Sequence, residues 1–202
     1  MMNRKLLLPA AVVLGLGLGL AASGHAAIIP VLQSVTPGGG SSTFSYSAEL
    51  SGDQGLKNGA RLVIFDFAGY VPGSIFSPPS FTPSVEMSTI GLLEPLGFVD
   101  NPTMANLVFT WNAGDFDTSG GPFADVNYTG LGAKSTLGDQ GIGVFAARAF
   151  INNGKAIGQQ AFNTGQVGVP SVPEPAAWLL MFAGFGLVGG ALRRRAPRPV
   201  TA

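Results

Sequence analysis

The sequence predicts an all-β protein: an antiparallel β-sandwich or jelly-roll-like ectodomain, flanked by an N-terminal signal peptide and a C-terminal transmembrane helix. Three observations carry this expectation. The middle of the chain is rich in Gly, Pro, Ser, Thr, Asn and Phe and shows no sustained 3.6-residue apolar period. Its apolar stretches are short and bounded by Gly, Pro, Asn or Asp, the pattern of strands joined by turns. Long uncharged apolar runs occur only near the two ends, at Leu6–Ala22 and Ala176–Leu192.

At the N-terminus, Arg4-Lys5 precedes the apolar run, and small residues follow it. That is the order of a secretory signal, and the small residues Gly24 and Ala26 place cleavage between Ala26 and Ala27. A retained anchor is the alternative, but Pro9, Gly15, Gly17 and Gly19 disfavour a permanent helix. Residues 1–26 are therefore read as signal peptide and 27–168 as ectodomain.

Within the ectodomain, Ile28–Val35 is a weak strand candidate. Thr43–Leu50 alternates cleanly, with Phe44, Tyr46, Ala48 and Leu50 on one face. Arg61–Phe67 is apolar on both faces and belongs in a sheet centre. Ala68–Pro83 carries Pro72, Pro78, Pro79 and Pro83, which exclude a central strand and predict a plain crossover loop. Asn106–Asn112 puts Leu107, Phe109 and Trp111 on one face, and Ile142–Ile151 alternates around Arg148. Ser84–Leu92, Asp125–Thr129 and Ile157–Val169 complete a set of roughly seven to nine strands. Pro170, Pro173 and Pro175 mark an extended linker, taken as 169–175.

After the linker come Pro173-Glu174-Pro175-Ala176-Ala177-Trp178, the apolar run to Leu192, and the stop Arg193-Arg194-Arg195. Residues 176–192 would span about 26 Å as a helix, at the short end for a bilayer core of about 30 Å. The arginines orient the 193–202 tail toward the cytoplasm. This segment resembles the PEP-CTERM sorting signal of Gram-negative bacteria in its PEPxxWA variant. Pro173, Glu174, Pro175 and Trp178 match the motif, and Leu179 departs from the usual alanine. The resemblance implies processing by an exosortase-type membrane enzyme after export by the secretion machinery. It also implies a transient inner-membrane precursor with its body in the periplasm, and a final cell-surface or extracellular location. By the same resemblance, the protein accompanies exopolysaccharide and biofilm production. The ectodomain is loosely similar to an uncharacterised β-rich body recurring in such proteins.

Composition excludes several function classes. Residues 27–172 hold the bases Lys57, Arg61, Lys134, Arg148 and Lys155 against ten acids, a net charge of −5. An acidic body without basic clusters is no nucleic-acid binder. There is no cysteine, and the one histidine, His25, lies in the signal segment. Disulfides, thiol chemistry, His-dependent triads and His-ligated metals are thereby removed from the mature chain.

Four features remain as candidates for chemistry. Asp115, Asp117 and Ser119 have the opening spacing of a calcium loop, with Gly120 at its sixth position; the expected glutamate is replaced by Val126, and a polar turn is the competing reading. Asp66 lies in an apolar strand where burial would favour its neutral form, or else it ends the strand or pairs with Arg61 or Arg148. Lys134-Ser135 reads as a turn. Among Tyr46, Tyr70, Trp111 and Tyr128, core packing accounts for Trp111, and Tyr70 is the one placed to stack on a sugar. The reading that unites these observations is a non-enzymatic surface or matrix protein without a resident cofactor. Two alternatives stay open: a secreted polysaccharide hydrolase using carboxylates such as Asp66 and Glu86, and a calcium-stabilised adhesin.

Overall fold

The computed structural model describes residues 28–88, 98–117, 125–152, 156–172 and 177–194. Along these residues run β1 (Ile28–Gly38), β2 (Ser41–Leu50), β3 (Gln54–Leu56), β4 (Arg61–Phe67), β5 (Phe81–Glu86), β6 (Ala105–Trp111), β7 (Phe116–Asp117), β8 (Val126–Ser135), β9 (Gln140–Ile151), β10 (Gln160–Pro170) and the helix α1 (Ala177–Arg194). One sheet has the order β1-β2-β8. The other runs β5-β6-β4-β9-β3-β7, with β10 also pairing with β9. Every ladder between the named strands is antiparallel. The body is mostly β, as composition and turn spacing led one to expect.

The two sheets face each other across one core, and period-2 alternation selects its members. From β2 come Phe44, Tyr46, Ala48 and Leu50, all at most 1% exposed. Leu62, Ile64 and Phe67 of β4 meet them, with Leu107, Phe109 and Trp111 of β6 and Phe145, Ala147 and Ala149 of β9. Each fully buried Phe, Leu or Ile contributes about 1.5–3 kcal/mol. With no cysteine anywhere in the chain, this interior is the main source of cohesion.

Aromatic rings lock the sheets at particular points. Phe44 of β2 meets Phe67 of β4 edge-on, with centroids 5.6 Å apart. Phe81, Trp111 and Tyr128 form a three-way cluster at 5.3–5.6 Å that ties β5 and β6 to β8. The Trp111 indole N–H donates to the Gly114 carbonyl, so its polar edge is satisfied while the ring stays in the core. Elsewhere, the Tyr46 hydroxyl donates to the Gly168 carbonyl at 2.8 Å, joining β2 to β10.

The strand Arg61–Phe67 is buried on both faces. Its second face, with Val63 and Phe65, packs with Val108 and Ala146 in a separate small cluster on the outside of the larger sheet. Phe98 covers Phe65 at a centroid distance of 5.3 Å.

Several local readings change. Short β3 and β7 carry too few apolar residues to register as strands in the sequence. Lys134 and Ser135 lie in β8 rather than in a turn, paired to Thr43 and Ser42 of β2. The stretch expected as a plain crossover does more: Val71 donates its amide to the Lys134 carbonyl, and Phe76 exchanges backbone hydrogen bonds with Gly132. It crosses between the sheets as a strap laid along the outer side of β8. Its last residues enter β5, where Pro83 is tolerated because β5 is an edge strand.

β10 continues to Pro170, so Val169 and Pro170 close the ladder against Gly141 and Gln140 rather than forming a linker. One residue further, the Ser171 amide donates to the Asp139 carbonyl at 2.9 Å. Ser171 and Val172 then leave the body, Val172 being 62% exposed.

α1 has 18 residues and includes Arg193 and Arg194. Among the described residues, no helix is long and apolar enough to cross a membrane. The large side chains of α1 are nonetheless uncovered, with Phe182, Phe185 and Leu187 exposed at 66, 70 and 75%. The N-terminal segment 1–26 lies outside the described residues.

Among the described glycines of the smaller sheet, Gly132 is the most closely packed. A Cβ placed there would lie 2.2 Å from the Phe44 carbonyl oxygen and 2.5 Å from the Phe76 ring. Gly132→Ala should therefore destabilise the body by about 1–3 kcal/mol, whereas Gly38→Ala, with nothing within 4 Å, should change little. Urea unfolding of both variants checks this difference.

Candidate functional site

Two places in the molecule have chemistry to offer: the end of the sandwich where β4, β5 and β6 meet, and the C-terminal segment beyond β10.

The first begins with Asp66. β4 pairs Ile64 with Leu107 but Phe67 with Ala105, so one extra residue is inserted in β4. Asp66 adopts φ +52° there, the left-handed region that Asp tolerates better than most residues. Its amide, turned out of the ladder, donates to Asn106 Oδ1 at 2.9 Å. Asn106, fully buried, donates through Nδ2 to both carboxylate oxygens of Asp100 at 3.0 and 2.9 Å. Asp66 Oδ1 accepts the Asn101 amide at 3.2 Å. Burial raises the Asp66 carboxyl above its ordinary range, the Asn101 amide pulls it down, and the Asp100 charge pushes it up again.

Neither arginine proposed from sequence partners Asp66. Arg61 pairs with Glu86 at 2.6 Å, and Arg148 donates through Nε to the Gly59 carbonyl at 2.8 Å. Burial does favour the neutral form of Asp66, and Asp66 lies at the penultimate position of β4; the pairing with Arg61 or Arg148 is the reading that fails.

Beside this network lies an open pocket of about 310 Å³. Its walls are Phe67 to Tyr70 on one side, Thr103 to Ala105 on the other, and Met87. Tyr70 is half-buried; its ring meets Phe67 edge-on at 6.5 Å, and its hydroxyl accepts the Gly73 amide at 3.2 Å. A fixed ring, two thioethers and a threonine hydroxyl offer an apolar wall with a polar rim. Among the described residues, no charged side chain lines the pocket. Such a surface can hold a neutral group. The thioether walls at Met87 and Met104 are not legible in the sequence, because neither methionine sits in a motif.

Of the other aromatic candidates, Tyr46 and Trp111 are core residues, 1 and 5% exposed, and burial pushes the Tyr46 phenol up. Tyr128 is half-buried against Phe81 and Trp111. Asp115 is exposed next to β7; the Asp117 side chain and Ser119 lie outside the described residues. Among the described residues no group of three or more His, Cys, Asp or Glu is placed to hold a metal ion.

The second place is the C-terminal segment. The ladder of β10 ends at Pro170, and α1 begins at Ala177. Six residues connect them, a reach of about 20–25 Å when extended. Pro173, Glu174 and Pro175 lie outside the described residues, as do the side chains of Trp178, Arg193 and Arg194, all of Arg195, and Ala26 and Ala27. α1 has no acidic residue in its first turn.

Residues 171–195 match the family model of the PEP-CTERM protein-sorting motif. The match begins at the residue that follows the last paired residue of β10. No curated protein and no solved structure matches the chain. The motif marks a chain handled by an exosortase-type enzyme and sorted to the envelope or surface of a Gram-negative cell.

The Asp66 environment sets a pH dependence. Its raised pKa means that the folded chain holds this proton more tightly than the unfolded chain, whose Asp value is about 3.9. The stabilising contribution is complete below that value and is lost as pH rises through the folded value. Asp66→Asn keeps the acceptor oxygen and tolerates positive φ, so it should melt above the parent at neutral pH and converge with it in acid. Melting curves across the pH range read this directly.

Proposed function

We propose that this chain, carrying a PEP-CTERM sorting motif immediately behind a folded β body, is a non-enzymatic surface or matrix protein. The observation that carries the reading is the abrupt junction between body and sorting segment. β10 is paired to its last residue, the motif match starts one residue later, and the apolar helix α1 lies within the matched residues.

In this reading, residues 1–26 direct export and are removed between Ala26 and Ala27. α1 then holds the precursor in the inner membrane with the β body in the periplasm. A helix that is apolar around its exposed turns, and carries no acid in its first turn, is poorly suited to water. Pro173-Glu174-Pro175 is the segment offered to the processing enzyme, because proline disfavours helix in the residue before it. Release or transfer leaves the body outside the cell, in contact with exopolysaccharide and biofilm matrix.

The non-enzymatic part of the reading rests on how the carboxylates are held. Glu86 is ion-paired with Arg61, Asp66 accepts the Asn101 amide, and no charged side chain is among the described residues that line the neighbouring pocket. Matrix contact through Tyr70 and the two methionines needs no reacting group. The reading assigns no resident cofactor.

Intact-mass measurement on protein recovered from cells and medium tests the route. The parent should begin at Ala27 and lack α1, and Glu174→Ala should retain the tail and stay with the cells. A soluble cytosolic chain with both ends intact overturns the reading. For the calcium-stabilised alternative, the melting midpoint is the measure: it should be the same with and without chelator.

A further inference from the structure

β8 has two sides. On one, Val126–Ser135 forms the ladder with β2. On the other, the outward-pointing backbone groups of Gly132 and Lys134 meet the strap. The Lys134 carbonyl accepts the Val71 amide at 2.9 Å, and Gly132 exchanges two bonds with Phe76 at 2.8 and 3.0 Å. The Lys134 amide donates to Ser74 Oγ at 2.9 Å. Yet the strap is an imperfect strand. It contains Pro72 and Gly73, bridges β8 only at Tyr70↔Ser135 and Phe76↔Gly132, and its residues are half-buried or exposed.

We propose that Tyr70–Phe76 is an edge guard, and that the side of β8 beneath it is a self-association surface. Uncovered, the β8 edges of two copies pair antiparallel about a two-fold axis at Ala133, the Gly132 of one facing the Lys134 of the other.

Four observations support a second copy as the occupant. The strap shows that this edge accepts an extended antiparallel segment. Gly132 and Lys134 stand opposite Ser45 and Thr43 of β2, while their own N–H and C=O groups point outward to the strap; a two-fold at Ala133 brings these outward groups into register. That register sets each lysine opposite a glycine, so the two charges do not face each other. Two other sheet ends are less suitable: β5 carries Pro83, and the Gly168 carbonyl of β10 already accepts the Tyr46 hydroxyl. Covering such an edge is a recognised way to keep a β protein from joining its neighbours.

The test uses the full chain in detergent micelles, with native mass as readout and far-UV circular dichroism as a check on folding. Phe76→Ala removes the ring over Gly132; Val71→Pro removes the bond at the other end of the strap and supplies the reading if Phe76→Ala loses its β signal. Either folded variant should show dimer raised on the order of tenfold over the parent at equal concentration. Adding Lys134→Pro removes an outward N–H not used by the β2 ladder, and should return the mass to the parental distribution. A folded strap variant that stays at the parental distribution overturns the proposal. So does dimer that survives Lys134→Pro, or growth past dimer into larger oligomers.

Discussion

One inserted residue in β4 keeps a carboxylate out of the core. Strict alternation from Leu62 and Ile64 would carry Asp66 inward, into the space between the sheets. Burying an unpaired ionised carboxylate costs several kcal/mol. The observed solution holds Asp66 at φ +52°, a strain of about 1–3 kcal/mol, and delivers Phe67 to the core instead. Phe67 then meets Phe44 across the sheets, and Asn106 takes up the amide that the bulge displaces. The smaller penalty is the one adopted, and the polar corner around Asp100, Asn101 and Asn106 follows from it.

That corner explains why a pocket exists at this end of the body. The bulge turns β4 out of its ladder just before Phe67 to Tyr70, which become one wall, while Thr103 to Ala105 lead into β6 as the other. The same turn launches the strap toward β8. Pocket wall and strap thus follow the bulge in direct succession along the chain. Cohesion without disulfides is obtained from ring contacts at both ends of the core and from hydrogen bonds such as Tyr46 to Gly168 that tie one sheet to the other.

The sorting segment has a different character. Its information is linear: a short motif, an apolar run and arginines, in order. The folded body contributes a boundary, because β10 stays paired to Pro170 and Ser171 is still bonded to Asp139.

From residues alone, the β character, the inward faces of β2 and β6, the doubly buried β4 and the sorting segment were all readable, since each is written as a local period or an ordered motif. Phe44, Tyr46, Ala48 and Leu50 declare their face by alternation, and any register that buried the polar set would be far costlier. What the chain could not disclose depended on partners distant in sequence. Asp66 looked buried because alternation does not reveal a bulge that requires Asn106, forty residues on, to complete it. Lys134-Ser135 looked like a turn because glycine neighbours are as compatible with a close ring, here Phe76, as with a reversal. The long proline-bearing stretch became a strap only because the uncovered side of β8 supplied hydrogen-bonding groups that water would otherwise have taken. Local chemistry settled the address and the class of fold; long-range pairing settled which polar groups stay at the surface and which edges are closed.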